Sequence, residues 1–166
     1  RFFTLLKYYE LISQKSFILF LLLVKKKLKL LTISFAFIPK FDIMNIRRGK
    51  IQDLKEITAI EAECFPASEA ATEESFKGRL TVYPDYFWIL EEDGKIVSFV
   101  NGMVTDSPNL SDEMYENPHL HNPEGEWQMV FGVNTLPDYR KRGYAEKLLN
   151  EMIKDAKDKK RKGVVL

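Results

Sequence analysis

The stretch from Glu126 to Leu166 most constrains what this chain can become. Glu126–Thr135 (EWQMVFGVNT) is apolar and β-branched, as a strand requires. The turn PDYRKRGYA (Pro137–Ala145) follows. Lys141–Lys159 then carries Tyr144, Ala145, Leu148, Leu149, Met152, Ile153 and Ala156 on one apolar stripe, with lysines and acids on the other face. Val164–Leu166 begins a further strand. A strand, a helix and a second strand make a crossover unit, which commits the chain to a sheet with helices packed on it.

The upstream sequence supplies the rest of that sheet. Asn45–Arg48 reads as a first strand and leads to Gly49. Ile51–Cys64 repeats apolar residues at helical spacing (Ile51, Leu54, Ile57, then Ile60 or Ala59). Phe65-Pro66 ends that helix, because proline disfavours helical backbone in the residue before it. Ser68–Leu80 predicts a second helix, with Thr72 as a candidate N-cap. Pro84 and Asp85 make a turn. Tyr86–Glu91 (YFWILE) and Lys95–Val104 (KIVSFVNGMV) read as two strands joined by the two-residue hairpin Asp93-Gly94. Gly102, inside the second, marks a bulge or a close backbone approach. Thr105–Gly125 is a polar insertion with three prolines, a length associated with lids, binding loops or disorder. The expected fold is α/β (α+β): an antiparallel meander feeding the crossover, a mixed, mostly antiparallel sheet flanked by helices.

Bulk properties narrow the function classes. The chain has 166 residues, the size of one domain, and its hydrophobic fraction of 45% is enough for a core. A formal net charge of +1 gives no overall field for nucleic acid or another polyanion. The lysines of Lys154–Lys162 alternate with Asp155 and Asp158 and read as a solvated helix end. Cys64 is the single cysteine, so no intramolecular disulfide forms, and a reducing, cytoplasmic setting is expected. Cys64 falls on the apolar side of its helix and reads as a small buried hydrophobe rather than a nucleophile.

Both ends differ from the middle. Residues 1–43 are dominated by Leu, Phe, Lys and Ile, and the first methionine is Met44. Phe17–Val24 and Leu30–Ile38 are each too short to span a bilayer, which takes ~20 apolar residues, and Lys25–Lys29 separates them. The basic cluster follows the apolar run, the reverse of a signal peptide. The bias is what A/T-rich non-coding DNA encodes. Residues 1–43 are therefore expected to be translated upstream sequence outside the domain. The alternative is a real interfacial or anchoring segment, and then a membrane-associated protein. Lys162–Leu166 begins a strand and stops, so residues 44–166 are expected to be a domain cut inside its fold.

The turn before the strong helix carries the chemistry. A helix start offers unpaired N–H groups and the positive end of the helix dipole, a geometry that binds phosphate. Arg140, Lys141 and Arg142 add charge, and Gly143 lets backbone approach an anion. A solvated basic turn is the plainer alternative. Arg140-Lys141-Arg142-Gly143-Tyr144-Ala145, preceded by Val133-Asn134-Thr135-Leu136-Pro137, resembles the acyl-CoA pyrophosphate loop of the Gcn5-related N-acetyltransferase (GNAT) superfamily. Its pattern there is Arg/Gln-x-x-Gly-x-Gly/Ala, between the fourth strand and the third helix. The likeness covers roughly Asn45–Leu166. The segment Cys64–Thr72, with Leu110–Tyr115, His119 and His121 in the insertion, further resembles arylalkylamine (serotonin-type) N-acetyltransferases and their microbial relatives.

The resemblance implies transfer of an acetyl group from acetyl-CoA to a primary amine by direct attack, with no acyl-enzyme and no metal. The pyrophosphate would fall to Arg140, Lys141, Arg142, Gly143, Tyr144, Ala145 and Glu146. The pantetheine arm would run along Val133, Asn134 and Thr135. The acceptor pocket would include Phe65 and Pro66. An arylalkylamine would suit it, and a polyamine or a protein N-terminus also fits. The paired histidines of the animal enzymes fall here on Met129 and Phe131, which cannot take a proton. Glu126 is the candidate base, with His119 and His121 as alternatives or as ordinary loop residues. The acid, usually a tyrosine beyond the fifth strand, lies outside this chain. A non-catalytic acyl-CoA-binding module is the competing class.

Overall fold

A computed structural model of the chain describes residues 43–166; the expectations for residues 1–42 lie outside the described residues. The elements are β1 (Met44–Arg48), α1 (Leu54–Cys64), α2 (Glu73–Val82), β2 (Phe87–Glu92), β3 (Lys95–Asn101), β4 (Val104–Thr105), α3 (Asp112–Glu116), β5 (Trp127–Met129), β6 (Gly132–Thr135), α4 (Tyr144–Asp158) and β7 (Gly163–Val165). They build two sheets. One is antiparallel in the order β1-β2-β3-β6; the other is β4-β5-β7, in which β5 and β7 run parallel. The mixed sheet with flanking helices is the expected architecture.

Two strands expected to be continuous are broken. Lys95–Val104 divides into β3 and β4 around Gly102, and Glu126–Thr135 divides into β5 and β6 at Val130-Phe131. The breaks face each other. At Gly102 the backbone is pressed against Met129, where a Cβ would sit 1.8 Å from the carbonyl oxygen. Only glycine permits that approach. Hydrogen bonds still bridge the gap, from Met129 N to Met103 O (2.8 Å) and from Phe131 N to Asn101 O (2.8 Å). The chain thus passes from one sheet to the other and leaves β6 at a sheet edge.

Local signals explain the helices. Ile51–Asp53 is a 3-10 turn and α1 proper starts at Leu54, burying Ile57 and Ile60. The second helix starts at Glu73 rather than Ser68. Thr72 is its N-cap, its side chain accepting from Ser75 N at 3.1 Å. Residues 66–72 form a turn instead, held where Ala71 N donates to Glu61 Oε1.

Alternation along β2 separates the two faces. Phe87 meets Phe76 of α2, which also packs edge-on against Phe99. Trp88 points the other way and donates to Asp155 of α4 at 2.6 Å. Phe87, Trp88 and Phe99 are core residues. On α4 the stripe is realised: Tyr144, Leu148, Met152 and Ala156 are buried.

The insertion is ordered and pinned to the body. Arg79, buried on α2, donates to Asn101 Oδ1 (3.1 Å) and to Tyr115 O (2.8 Å), and its guanidinium lies over the Phe131 ring. Burial lowers the Arg79 pKa. His121 Nδ1 accepts from Val104 N at 3.1 Å, and its ring sits between Tyr83 and Tyr86.

Candidate active site

The strand–turn–helix segment builds one cleft. Within β6, pairing with β3 alternates. Leu136 N donates to Val97 O at 3.0 Å, which places Asn134 and Gly132 toward β3 and leaves the backbone groups of Val133 and Thr135 facing outward. Among the described residues no strand covers that edge. The chain then turns through Pro137–Tyr139 into α4.

The turn has two left-handed residues, Lys141 (φ 63°) and Gly143 (φ 76°). Glycine takes that backbone freely, whereas lysine does not. Gly143 is the N-cap of α4, and no side chain caps the helix. The first-turn N–H groups therefore lack intrahelical acceptors and make up the positive end of the helix dipole.

The outward edge and the uncapped helix open on the same cleft of about 500 Å³. Of the residues expected at the site, Phe65, Val133, Thr135, Arg140, Lys141, Gly143, Tyr144, Ala145 and Glu146 line it. Others are placed elsewhere. Asn134 is fully buried, with its backbone toward β3 and its side-chain amide donating to Glu61 of α1. Arg142 is turned back, with Nη1 on Glu92 Oε1 at 3.1 Å and Nη2 on Asp138 O at 3.2 Å. Its guanidinium lies over the Tyr139 ring, 4.9 Å from the centroid. Pro66 is exposed beside Phe65 and does not line the cleft.

Glu126 is not brought to the cleft either. It is exposed just before β5, where its carboxylate pairs with Lys162 Nζ at 2.6 Å. His119 is exposed in the insertion. His121 is half-buried, and burial first, then Arg161 and Lys159, lower its pKa to about 4. Neither histidine lines the cleft. Among the described residues no cluster of three His, Cys, Asp or Glu could hold a metal, and no helix is long and apolar enough to cross a membrane.

Two features escaped the sequence reading. Cys64 lines the cleft and is only partly buried, its thiol donating to Thr135 O at 3.4 Å. Its place as the last residue of α1, at the mouth of a turn, was the available signal. The second is Glu92, which accepts from both Arg142 and the Tyr144 hydroxyl. That hydrogen bond is the main cause of a raised Tyr144 pKa. Fifty residues of intervening chain left no local signal for it.

Comparison with known proteins shows the family. The Acetyltransferase (GNAT) family model matches residues 54–166. The chain belongs to the GNAT family. It is similar to an uncharacterized N-acetyltransferase, YkwB, of Bacillus subtilis (strain 168), 24% identical over 132 residues. That match takes in 73% of this chain and 58% of the relative. Among solved structures, the loading GNATL domain of CurA from Lyngbya majuscula superposes with a TM-score of 0.63 at 28% identity, covering 69% of this chain and 58% of that one. The GNAT-like decarboxylase GphF, in complex with isobutyryl-CoA, gives 0.60 at 27% identity, covering 66% and 57%. The chain therefore spans less than two thirds of the length of these GNAT relatives.

Proposed function

We propose that this chain carries the acyl-CoA side of an N-acetyltransferase, in which acetyl-CoA gives its acetyl group to a primary amine by direct attack. One observation carries the reading: the uncapped N-terminus of α4 and the unpaired edge of β6 open on one cleft. Backbone N–H groups of residues 143–146, with Arg140 and Lys141, would hold the pyrophosphate. The outward backbone groups of Val133 and the Thr135 N–H would hold the pantetheine arm, while Thr135 O already accepts from Cys64 Sγ and Arg140 Nε. Bound acetyl-CoA supplies an activated acyl thioester. The chain's own residues bind it, orient it and wall off one side with Phe65.

The acceptor must lose a proton. A primary alkylamine has a pKa of about 10, so it is mostly an ammonium at neutral pH. Among the described residues no histidine lines the cleft, and the one carboxylate there, Glu146, stands at the start of α4. In this proposal the ammonium loses its proton to water. The value of kcat/KM then rises about tenfold per pH unit below the amine pKa. Glu126→Gln leaves that profile unchanged. A plateau near pH 7 that Glu126→Gln abolishes would return the base to Glu126.

The Phe65 ring on the cleft wall is the observation toward an aromatic amine, so tryptamine and phenethylamine head the acceptor panel. The likeness to a loading domain and to a decarboxylase bound to isobutyryl-CoA favours a second reading, acyl-CoA chemistry without an amine. CoA release is measured from acetyl-, isobutyryl- and malonyl-CoA, each with and without tryptamine, phenethylamine, a polyamine and a peptide. Amine-dependent release supports the transferase. Carbon dioxide from malonyl-CoA without an amine supports the second reading. Saturable binding with neither outcome leaves a non-catalytic acyl-CoA-binding module.

A further inference from the structure

Glu92 closes β2 and is almost fully buried, at 9% exposure. Its carboxylate crosses to the turn before α4 and grips residues on both sides of Gly143. One oxygen accepts from Arg142 Nη1 and the other from the Tyr144 hydroxyl. Arg142 extends the brace, donating to Asp138 O and stacking on Tyr139. Lys95 also lies over that ring, its Nζ 5.3 Å from the Tyr139 centroid. These bonds turn the Arg142 guanidinium back toward Glu92 and the Pro137–Tyr139 turn, although the side chain stays half exposed. Arg140 and Lys141 remain on the cleft.

We propose that Glu92 is the positioning residue of this loop, and that Arg142 serves it as a strut rather than as an anion ligand. The inference rests on the acyl-CoA reading of the cleft. Its physical content is preorganisation. The left-handed Gly143 and the first N–H groups of α4 keep their direction because both neighbours of Gly143 are tied to one buried carboxylate. Removing the carboxylate leaves the anion-facing groups in place but lets the loop sample other shapes. Affinity for acetyl-CoA falls and the chemical step is spared.

The test uses Glu92→Gln, Arg142→Ala, their double variant and Arg140→Ala, with Tyr144→Phe as a milder cut should Glu92→Gln fail to fold. Acetyl-CoA affinity is measured from 50 to 300 mM salt, with KM and kcat where turnover occurs. Amide hydrogen exchange is followed at Lys147, whose N–H donates to Gly143 O at 3.0 Å. Glu92→Gln should weaken acetyl-CoA binding about tenfold with kcat within twofold. It should also speed exchange at Lys147 at least tenfold. The double variant should bind no worse than the weaker single, since both act through one brace. Arg142→Ala should keep the wild-type salt dependence, whereas Arg140→Ala should flatten it. Additive losses, a salt dependence that Arg142→Ala flattens as Arg140→Ala does, or unchanged exchange in Glu92→Gln would each overturn the proposal. Wild-type protein that does not bind acetyl-CoA would end the acyl-CoA reading instead, and exchange at Lys147 would still decide the role of Glu92.

Discussion

Lys141 and Gly143 occupy the same left-handed backbone region two residues apart, with φ of 63° and 76°. Exchanging their side chains in opposite senses makes a matched test of the loop. A left-handed residue with a Cβ costs about 1–2 kcal/mol. Gly143→Ala adds that cost, and the new Cβ meets nothing within 4 Å, so no clash is added. Alanine also narrows the unfolded ensemble, returning about 0.4–1 kcal/mol. The net is roughly 1 kcal/mol of destabilisation. Lys141→Gly runs the other way, relieving strain and losing about the same entropy. It should stabilise by up to about 1 kcal/mol. In a domain of this size each kcal/mol shifts Tm by about 3–5 °C.

The assay is thermal unfolding with and without acetyl-CoA. At a hundred times Kd, a ligand that binds only the folded state adds about 2.7 kcal/mol. The Gly143 Cβ would project into the open space before α4, so Gly143→Ala should weaken acetyl-CoA binding about tenfold. That removes about 1.4 kcal/mol of the ligand's contribution. Lys141→Gly keeps most of it, losing one cation but no backbone donor. The reasoning is refuted if Gly143→Ala melts with the wild type and keeps the full ligand shift. It is equally refuted if both variants lower Tm by the same amount.

Further expectations follow from single contacts. Thr72→Ala removes the N-cap bond to Ser75 N and should cost about 1 kcal/mol in urea unfolding, with Thr72→Ser close to neutral. His121 titrates lower in the folded chain, at about 4, than its ordinary 6.5. The unfolded state therefore binds the proton more readily, and the stability held above pH 6.5 drains away as pH falls from there toward 4. His121→Asn should flatten that window, read by unfolding at each pH. Asp53 and Asp155 are held below their ordinary range despite partial burial, by bonds from Arg47 and from Arg48 and Trp88. Their contribution is lost only below about pH 4, outside the His121 window. Iodoacetamide labelling of Cys64 should slow at least fivefold under saturating acetyl-CoA; labelling that ignores the ligand would move its seat away from this cleft.

Much of this protein was legible in its sequence because the relevant signals are local. Thr72 announces a cap, Asp93-Gly94 a hairpin, and the α4 stripe a helix with one buried face. The run Arg140–Ala145 announces the turn and the helix start that follows it. These depend on neighbours a few residues away, and backbone and periodicity rules act at that range. The tertiary structure decided the rest. Gly102 meets Met129 only once two strands are paired, so the paired breaks that leave β6 at an edge had no counterpart in either stretch alone. Arg142, which looks like an anion ligand beside Arg140, is drawn away by Glu92 from fifty residues upstream. Cys64 looks like packing on its own helix and becomes a cleft wall when α1 meets β6. Glu126 shares its strand stretch with Phe131, yet the length of that stretch and a partner in Lys162 keep it at the surface. Sequence alone set where helices, caps and turns begin; long-range packing settled which side chains reach the cleft, because charge and shape there come from residues that only folding makes neighbours.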